Sequence, residues 1–152
     1  MPRPVIHLSG DALDLAGLNA QLNVGTDLGA VASFTGHVRG GGALNALELV
    51  HHPTLTAPAL KRIAETTMSR FGLSDLLVAH RYGRMPPGEP VVHIVAGAEH
   101  RRAALDGVAF AIDVLKTQAP FWKREWRGDS SVWIEPTADD HSNAEKWLGE
   151  SK

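Results

Sequence analysis

Residues 116–125 read KTQAPFWKRE and mark the point where a helix gives way to a strand. Apolar residues spaced three and four apart predict a helix that runs from near His100 to about Thr117. Pro120 stops this helix, because proline lacks a backbone N–H and its ring clashes with the preceding turn. The aromatic stretch from Phe121 to Trp126 is then too short for a further helix, and we expect it to be extended.

The charges in this stretch allow two interpretations. Side chains alternate between the two faces of an extended segment, so Lys123 and Glu125 project together, on the face opposite to Arg124. Lys116 ends the helix, where a lysine is favourable simply because it meets the negative end of the helix dipole. Spacing alone leaves open a solvent-exposed strand edge and the edge of a functional site, and it slightly favours the exposed strand edge.

The rest of the chain predicts an α+β fold. Apolar stretches, turns and helical patterns follow one another in the order β-α-β-β-α-β-β-α-β-β, with about three helices and mostly antiparallel strands. Residues 29–38 and 44–51 read as a hairpin that carries Arg39 near its tip. Thr56 is expected to cap the second helix through its hydroxyl group.

The composition narrows the classes of function. The 152 residues suit one domain, 1–152, with a polar C-terminal tail at 139–152. Fifteen basic and 17 acidic residues give a formal net charge of −2, which argues against nucleic-acid binding. There is no cysteine, which excludes disulfides and cysteine nucleophiles, and the eight histidines lack the spacing of a metal site. No apolar run has the length of a membrane span, which predicts a cytoplasmic protein without membrane contact.

Two further stretches carry candidate binding residues. His100 and Arg101 stand at the predicted start of the long helix, where free backbone amides could help them bind a phosphate or a carboxylate. Exposed helix residues would explain this pattern equally well. Arg39 precedes three glycines, but no Gly-Lys-Ser/Thr follows, so a P-loop is improbable and a hairpin tip is the simpler interpretation. An arginine on such a turn can contact a phosphate.

The stretch KTQAPFWKRE resembles the signature Lys-Thr-x-Ala-Pro-Phe-Trp-Lys-x-Glu of the catalytic, large subunit of molybdopterin synthase. Other segments match that family in the same order, and the resemblance covers roughly residues 5–147. These segments are Phe34–Arg39 (Phe-Thr-Gly-x-Val-Arg), Leu47–Pro53 (Leu-x-x-Glu-x-Tyr-Pro), His80–Gly83 with Pro87–Glu89 (His-Arg-x-Gly and Pro-Gly-Glu) and Ala98–Arg101 (x-x-His-Arg).

The resemblance implies an α/β-hammerhead fold and a homodimer within a heterotetramer. Each end of the homodimer would bind a small ubiquitin-like sulfur-carrier subunit, whose C-terminal Gly-Gly thiocarboxylate enters the large subunit's pocket. The implied activity is that of a sulfurtransferase in molybdenum cofactor biosynthesis. It transfers sulfur twice to cyclic pyranopterin monophosphate, forms the dithiolene of molybdopterin, and uses no permanently bound cofactor or metal. The absence of cysteine fits, because the sulfur arrives on the partner.

The resemblance also assigns roles to individual residues. Lys116 would act at the thiocarboxylate carbonyl as an acid/base group or as a transient covalent acceptor. Lys123 would activate the substrate, and Glu125 would orient it. Clustered cations should lower the pKa of a lysine and leave some neutral amine. Binding of the substrate phosphate and pterin is expected from these lysines and Glu125, together with His37, Val38, Arg39, His100, Arg101 and Arg124.

The chain departs from the family pattern at a few positions. His37, His52 and Gln118 stand where the family usually has lysine, tyrosine and arginine. Pro136 and Thr137 follow the last Trp-x-Glu, where the family places a basic residue that reaches the neighbouring protomer. The alternative function is a non-catalytic scaffold that binds a ubiquitin-like partner and a phosphorylated ligand without turnover.

Overall fold

The computed structural model of the protein describes residues 3–22 and 27–149. The strands form two four-stranded sheets, and all strand pairings but one are antiparallel in these ranges. In chain order the elements are β1 (Val5–Ser9), α1 (Leu15–Asn19), β2 (Ala30–His37), β3 (Ala46–His51), α2 (Thr56–Phe71), β4 (Asp75–Arg81), β5 (Gly83–Met85), β6 (Pro90–Ala98), α3 (Arg101–Gln118), β7 (Phe121–Arg127), β8 (Ser130–Ile134) and α4 (Ala138–Gly149).

The first sheet has the strand order β1-β4-β6-β2 and forms the main core. Its central strands β4 and β6 are apolar on both faces, because each face is covered by helices. Leu76 and Val78 pack against α2 and α3, whereas Leu77 and Ala79 point the other way, toward α1. The sheet thus holds α3 in a fixed position, and with it the lysine at the end of that helix.

The second sheet has the strand order β5-β3-β7-β8, and it shows that the predicted hairpin of residues 29–38 and 44–51 is wrong. The strand β2 pairs along its whole length with β6, and β3 pairs with β7 from Ala46 opposite Trp126 to His51 opposite Phe121. The glycine-rich segment between β2 and β3 carries the chain from one sheet to the other. Gly41, Gly42 and Ala43 have positive φ there, which turns the backbone sharply.

The start of α2 also differs from the prediction. Leu55 is the N-cap residue, and no side chain caps the helix, so the predicted capping role of Thr56 is wrong. The Thr56 hydroxyl is buried and donates a hydrogen bond to the Pro120 carbonyl (3.1 Å), while it accepts one from the His52 amide (2.9 Å). This residue therefore ties the start of α2 to the turn between α3 and β7.

A fourth helix, α4, lies where the sequence predicted a polar tail. Thr137 and Asp140 begin it with two reciprocal hydrogen bonds, from the Thr137 amide to Asp140 Oδ2 (2.9 Å) and from the Asp140 amide to Thr137 Oγ1 (3.0 Å). Trp147 docks the helix: its ring packs edge-on against Phe71 and Phe110, and its Nε1 donates to Asp113 Oδ2 (2.7 Å). Few apolar residues achieve this docking, which explains why composition alone favoured a tail.

The predicted fold class is confirmed as a mixed α+β arrangement with mostly antiparallel sheets, but with four described helices instead of about three. None of the helices in the described ranges is long and apolar enough to cross a lipid bilayer.

Candidate active site

A cavity of about 300 Å³ lies where the two sheets meet, between the C-terminal end of α3, the end of β2, strand β7 and the start of α4. Polar and apolar atoms contribute about equally to its surface, and seven ionisable side chains line it. The apolar lining includes Val38, Leu44, Leu47, Leu49, Val91, Val92, Ile112, Leu115, Phe121 and Ile134. The ionisable side chains are His37, Arg39, His80, Lys116, Lys123, Glu125 and Asp140.

The stretch KTQAPFWKRE builds one side of this cavity. The helix α3 ends at Gln118, and β7 begins after Pro120, so the chain turns back within a few residues. Strand β7 pairs with β3 so that Lys123 lies opposite Leu49, on the cavity face together with Glu125. Lys116, from the last turn of α3, lines the same cavity. The predicted alternation along residues 121–126 is confirmed, and the stretch forms the edge of a cavity.

The surroundings of Lys116 lower its pKa. The largest cause is desolvation, because pocket atoms crowd the amine even though part of the side chain stays open to solvent at the mouth. The nearby positive charge of Lys123 lowers the pKa further, and the Asp140 carboxylate opposes both effects. The predicted direction is confirmed, with desolvation rather than clustered cations as the larger cause. A larger fraction of Lys116 is therefore neutral amine than for a lysine in water.

His80 is a cavity residue to which the sequence assigned no role. It is buried, and its ring stacks on Phe121 with centroids 4.0 Å apart. Its Nδ1 donates to the Arg81 carbonyl (2.9 Å), since a carbonyl oxygen can only accept. Desolvation chiefly, and the charge of Lys116 as well, lower its pKa to about 4. At neutral pH His80 therefore presents an uncharged ring whose Nε2 is a hydrogen-bond acceptor.

Asp140 is a second residue that sequence reasoning missed. It reaches the cavity from the first turn of α4, together with Pro136 from the segment that precedes the helix. A Thr-x-x-Asp pattern at 137–140 was the available signal, because this spacing is typical of a helix start. Glu125 is the other acidic residue of the lining, and its Oε1 accepts a hydrogen bond from Arg127 Nη1 (3.2 Å).

The end of β2 forms the rim predicted to bind substrate. His37, Val38 and Arg39 all line the cavity. His37 Nδ1 donates to the Gly88 carbonyl (3.1 Å), and the Val38 backbone is hydrogen-bonded on both sides to the 86–89 turn, which fixes this rim. The Arg39 side chain is exposed and is thus available for a ligand.

The structure does not bring Arg124 to the cavity. It lies on the opposite face of β7, where its Nε donates to Glu48 Oε1 (3.0 Å) and its guanidinium stacks on Trp126 and Trp133. This hydrogen bond, a second one from Trp126 Nε1 and the positive charge of Arg124 lower the pKa of the Glu48 carboxyl. Arg124 is therefore part of an arginine–tryptophan cluster on the outer face of the second sheet.

His100 and Arg101 are also far from the cavity. They stand at the N-terminal end of α3, whereas Lys116 is near its C-terminal end. Fifteen residues of helix at ~1.5 Å each separate Arg101 from Lys116 by about 22 Å. His100 and Arg101 therefore do not line this cavity of their own chain, because a straight helix keeps its two ends apart, and their part in substrate binding stays a prediction.

Of the positions that depart from the family pattern, His37 and Pro136 line the cavity, whereas His52 and Gln118 do not. His52 helps to start α2, since its Nδ1 accepts hydrogen bonds from the Thr54 and Leu55 amides (both 3.2 Å). Gln118 is an exposed residue at the end of α3. Within residues 3–22 and 27–149, no three His, Asp or Glu side chains are grouped so that they could hold a metal ion.

Fold and cavity together define the class of protein, a small α+β protein with two lysines in a partly apolar, open pocket. Such a pocket is suited to acid/base or nucleophilic catalysis on an anionic substrate. The family model described as MoaE protein matches residues 8–118. This chain belongs to the MoaE protein family, as its sequence motifs predicted.

Individual relatives extend this match over nearly the whole chain. The molybdopterin synthase catalytic subunit of Rhizobium meliloti (strain 1021) is 40% identical over 152 residues, which cover 97% of this chain and 98% of that protein. The solved molybdopterin biosynthesis MoaE protein from Burkholderia ambifaria MC40-6 is 35% identical, with a TM-score of 0.77 over 95% of this chain and 98% of that one. The fold is also shared, at 21% identity, by a chain of the protein–protein complex of subunits 1 and 2 of molybdopterin-converting factor from Helicobacter pylori 26695 (TM-score 0.70; 85% and 89% covered).

Proposed function

We propose that this protein is the catalytic subunit of a molybdopterin synthase and acts as a sulfurtransferase. In this proposal it moves sulfur from the C-terminal thiocarboxylate of a small subunit to cyclic pyranopterin monophosphate, and molybdopterin is the product. One observation carries the proposal: Lys116 and Lys123 line the same cavity. Lys116 comes from the end of α3, which packs on the first sheet, and Lys123 comes from β7 of the second sheet. Family membership and the catalytic subunits among the relatives support it.

The chemistry follows from a partly neutral lysine beside a charged one. The thiocarboxylate sulfur adds to a carbonyl carbon of the substrate, so that the carbon–oxygen π bond breaks and its electron pair moves onto the oxygen, beside the positive charge of Lys123. This oxygen takes up protons and leaves as water, and the substrate is then joined to the small subunit as a thioester. Lys116, as a neutral amine, takes a proton from the water that attacks the thioester carbonyl. The carbon–sulfur bond of the thioester then breaks, so that sulfur stays on the substrate and the small subunit leaves with an ordinary carboxylate. A second thiocarboxylate repeats these steps to complete the dithiolene.

Arg39 is the residue that we expect to bind the substrate phosphate. Its planar guanidinium can donate two parallel hydrogen bonds to phosphate oxygens, and it lies exposed at the rim of the cavity. His37 and Val38 hold the adjacent rim in place through their hydrogen bonds to the 86–89 turn. The phosphate would therefore sit at the mouth of the cavity, with the reacting carbons further in, beside the lysines.

We further propose that the protein works as a homodimer within a heterotetramer and that each end binds one small ubiquitin-like subunit with a Gly-Gly thiocarboxylate. The two-subunit complex from Helicobacter pylori, which shares the fold, supports a two-subunit assembly. His100 and Arg101 are exposed and about 22 Å along the helix from Lys116. In the proposed homodimer they line the pocket of the neighbouring copy.

The experiment that tests the function mixes the purified protein with a thiocarboxylated small subunit and cyclic pyranopterin monophosphate, and it measures the dithiolene product. Lys116→Ala and Lys123→Ala are expected to lose at least ~100-fold in rate, the range of one acid/base group. Lys61→Ala is the matched control, because this exposed lysine lies on the outer side of α2 and should leave the rate unchanged. Full activity of both cavity variants would refute the proposal, and a complex without product would favour the non-catalytic scaffold.

Complementation tests the contribution of the second copy. Lys116→Ala and the double variant His100→Ala/Arg101→Ala should each be inactive alone. When the two are mixed and allowed to exchange subunits, a mixed dimer has one pocket with both defects and one pocket with neither. Partial recovery of activity is therefore expected if His100 and Arg101 act across the dimer, and no recovery is expected if they act within their own chain.

A further inference from the structure

The first turn of α4 places a carboxylate at the cavity, in a position that the proposed reaction does not use. Asp140 is half-buried and lines the cavity with Lys116 and Lys123. Its neighbour Asp139, in the same turn, is exposed and does not line the cavity. Two adjacent acidic residues of the same helix turn thus have different surroundings.

The position of Asp140 is fixed by the helix start itself. Its Oδ2 accepts a hydrogen bond from the Thr137 amide, and its own amide donates to Thr137 Oγ1. The His141 amide bonds to the Thr137 carbonyl and closes the first turn. A neutral amide partner orients the carboxylate but leaves its negative charge uncompensated. Asp140 therefore presents a fixed negative charge to the cavity.

The charged and titratable groups that line the cavity with Lys116 come from four elements, whereas β3, β6 and β8 contribute only apolar residues. His37 and Arg39 come from the end of β2, His80 from β4, Lys123 and Glu125 from β7, and Asp140 from α4. Of the two acids in this lining, Glu125 is already paired with Arg127. Asp140 is the group whose charge favours the protonated form of Lys116, against the desolvation and the charge of Lys123.

We propose that Asp140 is a positioning residue for Lys116: its carboxylate, held by the start of α4, keeps the Lys116 ammonium in the cavity against desolvation and the repulsion of Lys123. A group that takes up and returns a proton in each cycle must have access to both of its forms. Desolvation in the cavity favours the neutral amine of Lys116, and the Asp140 carboxylate favours its ammonium form. That both side chains line one cavity is a property of the fold, whereas the use of Asp140 in catalysis rests on the proposed function.

The test compares Asp140→Asn with Asp139→Asn. Asparagine can still accept the hydrogen bond from the Thr137 amide, so Asp140→Asn removes the charge while it keeps the helix start. Both variants lose one negative charge from the first turn of the same helix, so they share any general effect on the helix dipole. Circular dichroism and denaturant unfolding check that both variants fold like the native chain.

The first readout is the titration of the Lys116 amine in the folded chain. Reductive methylation at a series of pH values, followed by mass spectrometry of the Lys116 peptide, gives the pH of half-maximal labelling, with Lys61 as an internal reference. Asp140→Asn should move this midpoint to lower pH, because the ammonium form loses its carboxylate, and should label several-fold faster at a fixed pH below the midpoint. Asp139→Asn should match the native chain. An unchanged midpoint in Asp140→Asn, or an equal shift in both variants, would overturn the proposal.

The second readout is the pH profile of sulfur transfer. The acidic limb of the profile should move to lower pH in Asp140→Asn and stay in place in Asp139→Asn, a change that a merely structural role would not produce. A shifted labelling midpoint with no turnover even in the native chain would refute the proposed function and leave the influence of Asp140 on Lys116 established. A shifted midpoint with an unshifted rate profile would show that Asp140 does not position Lys116 for catalysis.

Discussion

Replacement of Thr56 by valine should destabilise the protein and disturb the cavity. Thr56 is fully buried at the start of α2, and valine has almost the same shape without the hydroxyl group. The change removes the hydrogen bond to the Pro120 carbonyl and the one from the His52 amide. Pro120 lies in the turn that separates Lys116 from Lys123, so the change acts on the segment that sets their relative position.

The expected loss follows from the groups left without partners. A buried donor or acceptor that loses its partner costs about 1–3 kcal/mol. Because both of these hydrogen bonds are only partly buried, we expect the lower part of that range for each, about 2–4 kcal/mol in total. For a chain of this size that corresponds to roughly 4–16 °C in Tm. Sulfur transfer should also fall at temperatures where the variant is still folded, because the turn after α3 is no longer anchored to α2.

Urea unfolding monitored by circular dichroism measures the loss, and Thr66→Val is the matched control. Thr66 lies on the same helix, but it is exposed, so the same substitution should change the free energy of unfolding by less than about 0.5 kcal/mol. A loss of under ~0.5 kcal/mol for Thr56→Val as well would refute the reasoning that this hydroxyl anchors the turn.

Three further predictions concern other parts of the site. The free energy of unfolding should fall by about 3 kcal/mol as the pH drops from about 6.5 to 4, because His80 takes up a proton near pH 6.5 in the unfolded chain but only near pH 4 in the folded one. The variant His80→Gln should flatten this pH dependence, which urea unfolding at a series of pH values measures. Arg39→Gln should raise the KM for cyclic pyranopterin monophosphate about tenfold, because this arginine lines the cavity. Arg124→Gln changes the outer face of the second sheet and should lower stability while it leaves the KM unchanged. Equal effects of the two variants on the KM would contradict this placement of the arginines. Trp147→Ala should cost about 2–4 kcal/mol in urea unfolding and loosen α4, and unchanged protease resistance of that helix would count against its docking role.

The sequence predicted those features of the site that depend on local periodicity. Alternation along a strand is a property of consecutive residues, and it correctly placed Lys123 and Glu125 on one face and Arg124 on the other. The end of α3 followed from Pro120, since proline acts on its own immediate neighbours. These inferences needed no knowledge of which strand lies beside which.

The errors share a different cause, since each depended on distant parts of the chain. Residues 29–38 and 44–51 look like a hairpin locally, but β6 and β7 are their actual partners. The length of α3 shows that His100 and Arg101 do not reach the cavity of their own chain, while their part in substrate binding stays a prediction. The spacing of Thr137 and Asp140 indicates a helix start, but nothing in the sequence shows that this helix folds back to the cavity at the end of α3.

The two lysines are carried by elements that belong to different sheets. Lys116 is carried by α3, which packs on the first sheet, and Lys123 is carried by β7 of the second sheet. The distance between the two amines therefore depends on how the two sheets pack against each other, and His80 and Phe121 stack across that boundary. The hydrogen bond from Thr56 to the Pro120 carbonyl also ties the turn between α3 and β7 to α2. A substitution that changes the packing between the sheets would therefore alter the space between the two amines without touching either of them.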